Sequence, residues 1–250
     1  MHAMRTLRIV GIISVGLFSS VVPSYAQRDI NQNQAKAGGI TPGDAPGFPV
    51  TISRPGSYVL TSNLRVPDLS RNGIEITATN VAIDLNGFAI IGPGGEGDGA
   101  GIFTFLSQVT VVNGSITGMG TGLFLNGTLC RIENVSVAQS TGDGIWVGEW
   151  CVVSGNRSAL NGGTGFVFFP GVTMTRNTAS WNGGFGIFEA GLNTGGSSIV
   201  NNVIEGNGSG GLVLKPTTGY VQNVLSDNTG VPVTGGVQMG VNVCNGSPCP

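Results

Sequence analysis

The sequence predicts an all-β chain wound as a right-handed parallel β-helix, a solenoid with three short strands per 21–25-residue coil and about 8–9 coils. Three observations predict it. Glycine-headed phrases, Gly101-Ile-Phe-Thr, Gly122-Leu-Phe-Leu, Gly144-Ile-Trp-Val, Gly165-Phe-Val-Phe, Gly186-Ile-Phe-Glu and Gly211-Leu-Val-Leu, recur at spacings of 21, 22, 21, 21 and 25 residues. Asn113, Asn134, Asn156, Asn177, Asn202 and Asn223 keep the same period, each 12 residues after its glycine except in the fifth unit, where the distance is 16. Finally, each unit breaks into about three short strand-like runs at Gly, Asn or Ser, so the crossover that a parallel pair needs is the rest of the same coil. Leucine is too sparse for a leucine-rich solenoid, and the periodic aspartates of a calcium-binding nonapeptide solenoid are missing.

Composition sets the address. Gly accounts for 44 of 250 residues and charged residues for only 10%, yet 40% are apolar, which argues against disorder. Residues 1–26 read as a bacterial-type secretory leader: Arg5 and Arg8, an apolar run, then Ser24-Tyr25-Ala26 before the cut. Its removal takes the formal charge from −2 to about −4 and removes His2, the single histidine. The expected product is secreted or periplasmic, with no basic surface for nucleic acid and no membrane span once the leader is gone.

Residues 27–47, rich in Gln, Asn, Gly and Pro, are expected to be a flexible, poorly ordered arm or one lying against the first coil, and no helix-forming stretch is expected after the leader. Order begins at Phe48, with Val50-Thr-Ile, a turn at Pro55-Gly56, Ser57-Tyr-Val-Leu-Thr, Ile74-Glu-Ile-Thr and Val81-Ala-Ile-Asp alternating at period two. One β-helix domain covers 48–243. Residues 244–250 form a cap closed by a Cys244–Cys249 disulfide. Cys130 and Cys151 lie about one coil apart and could stack, but they stand 8 and 7 residues after their glycines, which points them to opposite sides of the wall and leaves open whether they bridge or stay two separate thiols.

Counting from each glycine, the first and third residues face inward and the second faces out. The same count places Val109 and Val111, Cys130 and Ile132, Val152 and Ser154, and Thr173 and Thr175 on a second inward wall. The phased asparagines fall at a turn, where stacked amides can satisfy a tight left-handed bend.

Two phrases carry a family resemblance. Asn80-Val-Ala-Ile-Asp-Leu-Asn-Gly87 resembles the early-coil signature of secreted right-handed β-helix proteins, whose architecture is shared with pectate lyases and polygalacturonases. The Asn-x-x-x-x-Asn-Gly phrase at 156–162, 177–183 and 202–208 resembles the NosD-like repeats of that group. The resemblance spans roughly 48–236. It implies coil geometry and not an activity.

Three features could carry chemistry. The outward column Phe103, Phe124, Trp146, Val167, Phe188 and Val213 bears rings on four of six coils, a stripe suited to sugar rings or to a covering partner. Arg131, Glu133, Arg157 and Arg176 are expected on the next wall, with Arg176 in the column of Glu133, where bidentate arginines could hold uronic acids. In the lyases named by the resemblance an arginine serves as base and aspartates hold calcium; here no aspartate cluster accompanies the arginines. Among the carboxylates Asp84, Asp98, Asp143, Glu149 and Glu189, the set Asp143, Glu149 and Glu189 could supply the paired acids of a glycosidase. The polygalacturonase Asp-Asp and Gly-His-Gly phrases are missing. The four extra residues around 192–198 either wall a site or form a plain loop. No metal site and no cofactor are expected. The readings are, in order, an extended-polysaccharide binder along the stripe, a polysaccharide lyase or glycoside hydrolase on the same groove, and a structural or surface module.

Overall fold

The computed structural model describes residues 27–192 and 195–249. The leader reading of 1–26 and the middle of the 192–198 insertion lie outside the described residues. The chain is a right-handed β-solenoid of about nine turns. Its first face is a nine-stranded parallel sheet running from Val50–Ile52 through Ile74–Ile76, Ala100–Thr104, Thr121–Leu125, Ile145–Val147, Phe166–Phe168, Phe185–Glu189 and Gly210–Val213 to Val233–Thr234. An eighteen-stranded sheet covers the second and third faces, joined where Val109–Thr117 and Arg131–Ala138 run through the corner between them.

The glycine count holds on the first face. Ile102, Leu123, Ile145, Phe166, Ile187 and Leu212 pair strand to strand and are fully buried, one rung per coil. Each such side chain contributes about 1.5–3 kcal/mol.

The second wall departs from the count. The turn from first to second face is one residue shorter in the coil of Gly144 than in that of Gly122, so Ile132 pairs with Val153 rather than with Val152. Val153 and Met174 are therefore the buried residues, while Val152 and Thr173 are exposed and Ser154 and Thr175 sit at the surface. The same one-residue slip sets Cys151 directly over Cys130. They form a disulfide with Cα atoms 4.5 Å apart, which settles the open pairing and corrects the count that set them on opposite sides. With Cys244–Cys249 also bonded, the chain fits an oxidising compartment.

The slip also sorts the asparagines. Asn113 (φ 60°) and Asn134 (φ 54°) occupy the left-handed corner position itself, the place taken by Gly155 one coil later, and do not stack. From Asn156 on, the asparagine stands one residue later and turns inside. Each Oδ1 of Asn177, Asn202, Asn223 and Asn242 accepts the backbone N–H and side-chain amide of the preceding rung at 2.9–3.1 Å. A second ladder of Asn161, Asn182, Asn207 and Asn228 does the same at the next corner.

Both ends are closed. Residues 27–47 are not a loose arm: Arg28–Ile30 adds a strand beside Gly56–Leu60, and Gln32–Ala37 is a helix with a capping box from Asn31 and Gln34. This corrects the expectation of no helix; six residues suffice because capping and packing, not propensity, hold it. Asp44 and Thr41 then bond Thr51 on the open edge of the first strand. At the other end Val243–Cys244 turns back antiparallel on Ser247–Pro248, pinned by the disulfide.

Removing one rung should be costly while removing a corner asparagine is not. Asn177→Ala strands the buried N–H groups of Asn156 and the carbonyl of Val153, so chemical denaturation should show a loss of about 3 kcal/mol. Asn134→Gly should stay within about 0.5 kcal/mol of the parent. The double change Cys130→Ala with Cys151→Ala should lower unfolding stability by about 2–4 kcal/mol, and reductant should leave that variant less affected than the parent.

Candidate carbohydrate surface

Pairing across the first face places Glu75, Phe103, Phe124, Trp146, Val167, Phe188 and Val213 in one outward column. Phe103 stacks on Phe124 at 5.2 Å between centroids and 13° between planes, and Phe124 on Trp146 at 5.6 Å and 29°. Stacked this way, the inner rings give their faces to one another and their edges to solvent. Phe105 stands edge-on to both Phe103 and Phe124 and is 60% exposed. Phe169 tilts against Trp146 at 6.1 Å. Neither Phe105 nor Phe169 belongs to the regular column; each follows the strand end by one residue, and its signal was a second phenylalanine just beyond the phrase.

The stripe is open rather than covered. Phe103, Phe124, Trp146 and Phe188 remain partly exposed, while residues 41–44 of the N-terminal segment bond Thr51 and Ser53, two strands before Phe103. Two depressions flank the stacked rings. One, of about 220 Å³, lies between Glu75, Thr77, Phe103 and Phe105; the other, of about 260 Å³, lies between Asp143, Trp146, Thr164, Val167, Phe185 and Phe188.

The carboxylates do not gather. Asp143 and Glu149 stand at opposite ends of the Ile145–Val147 strand, six residues or about 20 Å of extended chain apart, beyond the spacing of glycosidase acids. Glu189 is an inward residue in the column of Phe168, 1% exposed. Its oxygens accept from Ser197 Oγ, Thr218 Oγ1 and the backbone N–H of Lys215, so it closes the corner beneath the insertion. Asp143 is the carboxylate beside the rings. Burial pushes its pKa up, opposed by the backbone N–H of Thr164, which donates to Oδ1 at 2.7 Å.

The charged set is spread over two faces and a corner. Arg131 donates to Glu133 at 2.7 Å on the second face, which with Ser154 Oγ holds the Glu133 carboxyl below its usual range. Such an exposed pair contributes about 0–1 kcal/mol. Arg157 lies on the third face, in the column of Ser136. Arg176 occupies the left-handed corner (φ 56°), one place beyond the column of Glu133, because the slip in register displaces it. None of these arginines reaches the stripe. Among the described residues no three His, Cys, Asp or Glu side chains converge on a metal position, and no helix is long and apolar enough to cross a membrane.

Comparison with known proteins agrees with this geometry. The family described as "Right handed beta helix region" matches residues 100–248. No curated protein sequence matches the chain significantly. Among solved structures, the A-module of the Azotobacter vinelandii mannuronan C-5 epimerase AlgE4 is similar, with 16% identity and a TM-score of 0.50 over 77% of this chain and 70% of that one. At that identity the likeness is one of fold.

Because its folded-state pKa is raised, Asp143 opposes folding once ionised: its proton is held more tightly in the folded chain, so stability falls as pH rises from the ordinary Asp value of about 3.9 through the raised one. Asp143→Asn, which keeps an acceptor for Thr164, should raise the melting temperature at pH 7 and leave it unchanged below about pH 3.

Proposed function

The chain belongs to the right-handed β-helix family, a scaffold whose activities reside in what decorates its faces, and from that premise we propose that it is an exported protein that binds an extended polysaccharide along the first face. The open aromatic stripe carries this reading. A row of rings at about 5 Å intervals, partly exposed and flanked by two shallow depressions, offers apolar contact at successive units of a linear polymer. The similarity in fold to a mannuronan epimerase module supports a carbohydrate partner.

A lyase or hydrolase on the same surface is the second reading, and Asp143 favours it. A half-buried carboxylate with a raised pKa beside a ring-lined depression is a general acid in the making. It has no partner acid within glycosidase range on its own strand, and the arginines lie elsewhere, so binding ranks first.

Incubation of the protein with acidic and neutral polysaccharides, followed by absorbance of unsaturated products and by reducing ends, separates the readings. Binding without either signal is the expected result; unsaturated products would establish a lyase and reducing ends a hydrolase. Trp146→Ala should weaken retention on the bound polymer at least about tenfold with the fold intact by circular dichroism. Retention unaffected by Trp146→Ala and by Phe105→Ala would overturn the stripe as the binding surface.

A further inference from the structure

The aromatic column is interrupted at Val167, which points outward yet is only 4% exposed beneath its neighbours. Register places Val167 between Trp146 on one strand and Phe188 on the next. Two strand steps separate those rings by about 10 Å, the spacing left when one rung of a stack is missing. Trp146 has one face on Phe124 and is met at 6.1 Å by the tilted ring of Phe169, and Phe188 is stacked on Phe185 at 5.6 Å. The 260 Å³ depression occupies this gap. It is smaller than the roughly 300–1,000 Å³ of drug-sized sites and fits one ring. A carboxylate borders it: Asp143 gives one oxygen to Thr164, and among the described residues no hydrogen bond engages the other.

Charge narrows the ligand. Between Arg71 and Lys215 the strands and flanking turns of the first face carry Glu75, Glu96, Asp98, Asp143 and Glu149 besides the inward Glu189, and not one Lys or Arg. A uronate chain would bring a negative charge per unit to a surface that cannot answer it, beside a carboxylate that burial already penalises. Hydroxyl groups, by contrast, can donate to Asp143 while the C–H faces of the ring pack on Trp146 and Phe188.

We infer that this gap is a clamp for one uncharged pyranose unit of a neutral polysaccharide, sandwiched between Trp146 and Phe188 above Val167 with a hydroxyl on Asp143. The inference rests on the first face being the carbohydrate surface. The clamp selects against polyuronates by repulsion and grips neutral units by stacking.

Affinity electrophoresis through gels containing glucan, mannan, xylan or galactan, and in parallel polymannuronate or polygalacturonate, tests it. At least one neutral polymer should retard the parent protein, with both uronates bound at least tenfold more weakly. Val167→Phe supplies the missing ring and should abolish at least nine-tenths of that affinity. Asp143→Asn keeps the shape and should narrow the preference for neutral over uronate polymer several-fold, which keeps the test decisive if Val167→Phe fails to fold. Tighter uronate binding, or neutral binding that depends on Trp146 yet is untouched by Val167→Phe, would overturn the clamp and leave the wider surface standing. No retardation by any polymer would overturn both.

Discussion

Every feature of this chain depends on in-register parallel pairing between coils. A parallel strand cannot satisfy its own backbone, so each coil's N–H and C=O groups are answered only by the coil before and the coil after. That dependence explains the one rung of Ile, Leu or Phe per coil on the inner side of the first face, since identical positions must meet at every step. It also explains why corners are so costly. Left-handed bends leave backbone groups pointing inward, and the two asparagine ladders are the side chains that reach them. The terminal coils lack one neighbour each, and the short helix with its added strand and the disulfide hairpin stand where that neighbour would be.

The same periodic logic decides what the surface can be. Positions that point outward also fall in register, so a single residue type repeated at one place becomes a column. Phe103, Phe124 and Trp146 become a stack because each is the second residue after a unit glycine, and Val167 becomes a gap for the same reason. Charge follows suit: the arginines occur at places in the repeat that belong to the other faces and their corner.

Much of this was legible in the chain itself. The period gave the solenoid, and parity from each glycine gave the inner column and the stripe, because first-face strands start at a fixed distance from that glycine. Parity failed past the first corner. Counting cannot see that a turn has lost one residue, and one residue inverts every side chain that follows, which is why Val152, Cys151 and Arg176 were misassigned together. The equal 12-residue spacing of Asn134 and Asn156 hid the slip, since one is the bend and the other the rung beside it. Glu189 reads as an available acid by type. Only its column, shared with Phe168, places it inside.

The ladders have a further effect on how such a molecule can vary. Asn156 and Asn161, Asn177 and Asn182, Asn202 and Asn207, and Asn223 and Asn228 are always five residues apart, so in those four coils that stretch keeps one length, whereas before the ladders begin it runs seven residues from Ile83 to Ile90 against five from Val111 to Ile116. The single-residue shortening before Cys151 and the four-residue expansion before Ser198 both fall instead at the turn leaving the first face. Among the coils that carry both ladders, length changes thus fall at the turns bordering the first face. A lineage built on the laddered coil can reshape the rim of its first face at that border while the laddered corners keep the winding unchanged.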